Sequence, residues 1–276
     1  MKAHKVDKSK GPATISRSAK KVAAKPDGNK SLKAAKPKPA ENAAARKPTA
    51  TAAKSGKRRR PSIDPATVKA IFERFAEIEP EPKGELEHKD AYTLLVAVVL
   101  SAQATDAGVN KATRHLFAAA DNPEKMVALG EDKVRELIKT IGLFRNKAKN
   151  VIALSQKLID EFDGEVPADA AALESLPGVG RKTANVVMNV WFGKPAMAVD
   201  THVFRIAHRL GFSSGKTPGD VERDLLAIVP GEYGVPAHHW LILHGRYLCK
   251  ARKPECWRCP IRELCPMEDK TPAPRK

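Results

Sequence analysis

Two groups of residues have types and spacings that could do chemistry. The first is a lysine and an acid, Lys182 and Asp200, eighteen residues apart. Lys182 follows the turn Gly178-Val179-Gly180, where a helical pattern begins in which Ala184, Val187, Met188 and Trp191 share a face. The amide N–H groups around 178–182 are then the unpaired donors of a helix start. Such a start beside glycines is a seat for phosphate, because glycine tolerates positive φ and lets another backbone approach closely. A cation is disfavoured at that end of the helix dipole. Ala184, Val186 and Val187 predict partial desolvation of Lys182, which depresses the pKa of an amine. An amine activated in this way is a nucleophile that can form a Schiff base with a sugar carbon. Plainer readings stay open: a first-turn lysine is often a solvated charge, a G-x-G turn is often only a turn, and Asp200 before Thr-His-Val-Phe fits a helix N-cap.

The second group is four cysteines within seventeen residues: Cys249, Cys256, Cys259 and Cys265, with gaps of six, two and five. Close cysteines in a cytosolic protein point to metal rather than to disulfides. Four thiolates suit tetrahedral zinc or an iron–sulfur cluster. Zinc pairs usually come as two C-x-x-C knuckles, and one is present here. Pro260 and Pro266 each follow a cysteine, as in cluster-binding loops, so spacing favours iron–sulfur and leaves zinc open. Arg246, Lys250, Arg252 and Lys253 lie around the first cysteine and form a local basic patch suited to phosphate contact.

The elements that must position these groups read as helices. Asp64-Pro65 is an N-cap followed by a proline at the first helical position, with Val68, Ile71, Phe72 and Phe75 on the apolar face and Pro80 and Pro82 beyond the end. Residues 90–104 predict a mostly apolar, central helix. Asp106 is expected to cap the next, with Val109, Ala112, Leu116 and Phe117 inward. Asn122-Pro123 opens a short helix closed by Gly130, and two more follow at about 132–139 and 145–162. In the latter, Ala148, Val151, Ile152, Ser155, Ile159 and Phe162 share a face. A helix bearing Ala172, Leu173 and Leu176 ends at Pro177. Further helices are expected near 203–210, 217–229 and 237–249. No segment shows sustained period-two alternation, so the fold class is all-α.

Charge is unevenly spread. Residues 1–60 hold nineteen Lys and Arg against three acids, and residues 61–276 hold thirty against twenty-nine. The folded part is almost neutral and must draw any DNA affinity from local clustering. Residues 1–60 have almost no large apolar side chains, which predicts a disordered basic tail that binds nucleic acid without sequence preference or serves only as a solubilising extension. The longest apolar run, residues 92–100, is far short of the ~20 residues of a membrane span. No signal or transit peptide is recognisable.

LPGVGRKTANVV at 176–187 and VDTH at 199–202 resemble the helix-hairpin-helix DNA glycosylases, and within them the endonuclease III family. LSAQATD at 100–106, IGLFRNKA at 141–148 and the C-x6-C-x2-C-x5-C pattern match as well, so the resemblance covers about residues 65–267. Adenine-mismatch glycosylases share the cluster without the lysine, and 8-oxoguanine glycosylases share Lys and Asp usually without the cysteines. The resemblance implies a two-lobed fold: a six-helix barrel over 84–194, an iron–sulfur cluster lobe from 61–83 and 195–267, and a C-terminal tail at 268–276. It implies that Lys182 and Asp200 are catalytic and that the four cysteines hold a 4Fe–4S cluster. Gln103 and Leu143 would fill the gap left by a flipped nucleotide, and Gly178, Gly180 and Arg181 would contact DNA. The implied activity is removal of oxidised pyrimidines from duplex DNA with β-elimination 3′ to the abasic site, by a monomer in the bacterial cytoplasm at the nucleoid, with no membrane. Rivals are a DNA-binding redox sensor without catalysis and a glycosylase without strand cleavage. The 60-residue tail departs from the family pattern.

Overall fold

The computed structural model describes residues 63–275. The expected disordered tail, residues 1–60, lies outside the described residues. Among them there is no strand; the elements are α1 (Pro65–Ile78), α2 (Ala91–Ser101), α3 (Asp106–Ala119), α4 (Pro123–Leu129), α5 (Glu131–Leu137), α6 (Phe144–Phe162), α7 (Ala170–Glu174), α8 (Arg181–Val190), α9 (Thr201–Arg209), α10 (Pro218–Ile228) and α11 (Ala237–Leu243). No helix among them is long and apolar enough to cross a membrane.

The helices build two lobes, each with its own apolar core. The barrel lobe runs from α2 to α8. Its centre is α2, where every residue from Tyr92 to Leu100 is buried, as expected of a helix apolar all round. The other lobe joins α1 to α9, α10 and α11. In its core Phe72 stacks on Phe212 with ring centroids 5.7 Å apart and packs against Trp240 at 6.3 Å. The Trp240 indole N–H donates to the carbonyl of Glu79 at 2.8 Å and holds the end of α1. The chain passes between the lobes twice, after α1 and after α8, and residues of both crossings line the cavity described below.

Several elements differ in detail from the sequence reading. Thr105, not Asp106, caps α3: its hydroxyl accepts from Gly108 N at 3.2 Å, and Asp106 enters the first turn, where it pairs with Arg246. Trp191 does not share the buried face of α8. The helix ends at Val190, and Trp191 turns outward, 43% exposed, edge-on to His88. On α6 the fully buried residues include Leu154 and Leu158, whereas Ile152, Ile159 and Phe162 are half-buried. This helix packs against α2, α4 and α5 together, so more than one stripe is covered. Phe117 is likewise half-buried. The helix expected over 237–249 is α11 followed by a π-helical turn, His244–Leu248.

Candidate active site and nucleic-acid interface

The short α7 ends before Pro177, and Val179 N donates to Leu176 O at 3.0 Å to close a tight turn into α8. Gly178 takes φ +79°, and a Cβ there would stand 2.8–3.0 Å from the Asn150 side chain on α6. Any other residue would strain this turn and force Asn150 or the hairpin to move. Gly180 is the N-cap of α8 and offers no side-chain cap, and the space around its Cα is open. The first amides of α8 therefore face outward with no side-chain acceptor, the arrangement an anion needs. Arg181 is engaged elsewhere: its guanidinium forms two parallel bonds, 2.8 and 2.9 Å, to Glu222 of α10, a carboxylate only 8% exposed.

Lys182 and Asp200 line one cavity of about 230 Å³ between the two lobes, and Gln103 reaches the same cavity. The desolvation expected for Lys182 is absent, because Ala184 and Val187 turn into the barrel core and leave Lys182 exposed. Among the described residues it makes no ion pair. Asp200 caps α9 with a single oxygen: Oδ1 accepts from His202 N and Val203 N, each at 2.8 Å. Oδ2 has no hydrogen-bond partner among the described residues. Capping and a second task are thus compatible in one carboxylate.

His238 on α11, not singled out in the sequence, also lines this cavity. It is 1% exposed, and its Nδ1 is buried without a partner. Burial, then the neighbouring His239 and Lys182, pushes its pKa down to about 3. The only sequence signal is the pair His238-His239 ahead of Trp240, which reads as an interior helix face.

Gln103 and Leu143 share a rare backbone state, with φ +55° and +57°. Left-handed conformations in non-glycine residues are unfavourable and collect at functional sites. Both are exposed, Leu143 by 56%. Their loops adjoin, since a Cβ on Gly142 would stand 3.6 Å from the Gln103 carbonyl oxygen.

The four cysteines are free thiols, none fully exposed, and Cys249, Cys259 and Cys265 pack against the core of the α1/α9–α11 lobe. Arg209 on α9 donates to Cys249 Sγ at 3.2 Å, and His244 Nε2 lies 3.8 Å from Cys259 Sγ. Burial pushes the Cys259 thiol up to about 11, and Cys265, Cys249 and Cys256 push it the same way. Among the described residues no three His, Cys, Asp or Glu side chains close on one point as ligands of a single metal ion do. Four unpaired thiols on an apolar floor with N–H donors beside the sulfurs fit an iron–sulfur cluster.

The basic patch is partly committed. Arg246 pairs with Asp106 at 2.6 Å and with Glu85, and Lys250 pairs with Glu255 at 2.5 Å. Arg252 and Lys253 are exposed and form no ion pair among the described residues; Lys253 holds φ +51°.

The family model described as the HhH-GPD superfamily base excision DNA repair protein matches residues 96–231, and the iron-sulfur binding domain of endonuclease III matches residues 249–265. The chain is 56% identical over 203 residues to endonuclease III of Treponema pallidum, covering 74% of this chain and 96% of that one. It is 53% identical over 200 residues to endonuclease III of Escherichia coli K12, covering 72% and 95%. A solved trapped endonuclease III–DNA covalent intermediate superposes with TM-score 0.69 at 45% identity, covering 74% of this chain and 96% of that one. A chain with these relatives belongs to the endonuclease III family: it is a base-excision-repair DNA glycosylase and AP lyase with a 4Fe–4S cofactor.

Proposed function

We propose that Lys182 is the nucleophile and Asp200 its acidic partner in removing oxidised pyrimidines from duplex DNA. The observation that carries this reading is their meeting at one cavity, with Asp200 Oδ2 unspent after Oδ1 has capped α9. Chemistry on a stacked base is inaccessible, so the nucleotide is flipped into the cavity. Leu143 and Gln103, held exposed on adjoining loops, fill the gap it leaves. Neutral Lys182 Nζ attacks C1′; the C1′–N bond to the base breaks, and its electron pair leaves with the base, which takes up a proton. The Asp200 carboxylate stabilises the positive charge developing on the sugar and helps move protons. The attacking nitrogen gives up a proton, and the ring C1′–O bond breaks with its electron pair going to the ring oxygen, which takes up a proton. The nitrogen lone pair closes the C1′=N bond of the Schiff base, which acidifies the C2′ proton. Its removal expels the 3′ phosphate by β-elimination.

The hairpin amides after Gly178 and Gly180, with Arg252 and Lys253, supply the phosphate contacts. Arg181, Arg246 and Lys250 serve less directly, because a phosphate contact would have to replace an ion pair each already makes. Cys249, Cys256, Cys259 and Cys265 would hold the cluster, which supplies metal–thiolate bonds that tie the loop. The protein acts as a monomer in the bacterial cytoplasm, at the nucleoid.

Incubation with duplex oligonucleotides that each carry one defined lesion tests this reading. Oxidised pyrimidines should be excised and the strand cut on the 3′ side, with turnover largely lost in Asp200→Asn while DNA binding persists. Excision of purine lesions alone, or full activity in Asp200→Asn, would contradict it.

A further inference from the structure

Resting on the reading that this cavity receives the flipped base, we propose that His238 is the residue that reads the base. Its imidazole hydrogen-bonds the edge of the extruded pyrimidine, so base excision depends on it and strand cleavage at a base-free sugar does not.

The placement of His238 is unlike that of its neighbours on α11. Trp240 and Leu241 enter the core of their lobe. His238 is as deeply buried, yet it faces the cavity shared with Lys182 and Asp200. Neither ring nitrogen makes a hydrogen bond among the described residues; Nδ1 is shut off from solvent, which leaves Nε2 as the nitrogen that can meet a base. A buried polar atom left unpaired is unfavourable, and at a position that only packs, an apolar ring would serve better. The wall also carries apolar Leu94, Val98, Val186 and Ile242 and polar Ser101, Gln103, Thr183 and His239, but of the described residues that line it His238 alone has a buried polar atom without a partner.

The charge state of the ring suits the task. Burial, His239 and Lys182 together hold the imidazole neutral across the working pH range. A neutral imidazole carries one N–H donor and one bare nitrogen acceptor. The edge of a pyrimidine alternates carbonyl oxygens with ring N–H groups, so either tautomer finds a complementary partner.

The test compares two reactions of the whole protein with its cluster in place. Single-turnover rates at saturating enzyme are measured on a duplex with one oxidised pyrimidine, and on the same duplex with a preformed abasic site. His238→Phe should slow base excision by about 10-fold, the loss expected for one hydrogen bond. Cleavage of the abasic duplex should stay within about threefold, and the melting temperature should be unchanged or higher. His238→Gln, which places an amide near the Nε2 position, should recover at least part of the excision rate. If His238→Phe does not fold, His238→Leu reads the same contrast. Equal losses in both reactions, or no loss in either, would overturn the assignment of His238. Failure of the unsubstituted protein to excise any oxidised pyrimidine would instead overturn the functional reading on which it rests.

Discussion

Arg209 Nη1 donates to the Sγ of Cys249 at 3.2 Å, from the last residue of the helix that Asp200 caps. The same guanidinium donates to the carbonyls of Cys249, Lys250 and Ala251 at 3.2, 2.8 and 3.1 Å. Helix α9 is thus a rigid rod with the proposed catalytic carboxylate at one end and the cysteine loop at the other. Arg209→Leu removes all four bonds. We expect a loss of about 2–3 kcal/mol, the scale of hydrogen bonds to a charged donor, and faster loss of iron under chelation. Iron content per chain and thermal melts check this; unchanged iron retention in the variant would contradict it.

Leu143 gives a prediction with opposite signs for stability and activity. It is exposed and held at φ +57° as the N-cap of α6. Leu143→Gly relieves left-handed strain of about 1 kcal/mol and sacrifices little burial. The melting temperature should rise by about 2–4 °C. Excision from duplex DNA should nevertheless fall at least tenfold, because the gap left by the flipped nucleotide goes unfilled. A stable variant with undiminished excision would remove Leu143 from the interface.

Periodicity along the chain predicts the helices well where one face alone is buried. In α1, Val68, Ile71, Phe72 and Phe75 are all interior, because that helix packs on one side only. It fails for α6, where contacts on several sides bury Leu154 and Leu158 as well. Lys182, Asp200 and the cysteine pattern are visible in the sequence because their local spacing carries the signal. The pairing of Arg181 with Glu222, and of Arg246 with Glu85 and Asp106, is not, because these partners are brought together only by the packing of distant helices. The same limit hid the unpaired Nδ1 of His238 and the exposure of Lys182.

Buried histidines make stability depend on pH in a defined direction. The pKa of His238 is about 3 in the fold against an ordinary 6.5, and burial lowers that of His239 too. Between those values the unfolded chain binds protons that the folded chain does not. Stability is therefore fully present above pH 6.5 and declines as pH falls toward 3. Each such histidine contributes a slope of at most about 1.4 kcal/mol per pH unit. Denaturant melts from pH 7.5 to 5 should show this decline while carboxylates are still ionised, and His238→Phe should reduce the slope. A flat profile down to pH 5 would contradict the burial argument.

The most direct measurement of the central claim is covalent trapping at Lys182. Borohydride added while the protein acts on an abasic-site duplex reduces the Schiff base to a stable protein–DNA adduct. An adduct is expected with the unsubstituted protein, mapped by mass spectrometry to Lys182, and none above background with Lys182→Ala. An adduct that forms at the normal rate with Lys182→Ala, or that maps to another amine, would contradict it.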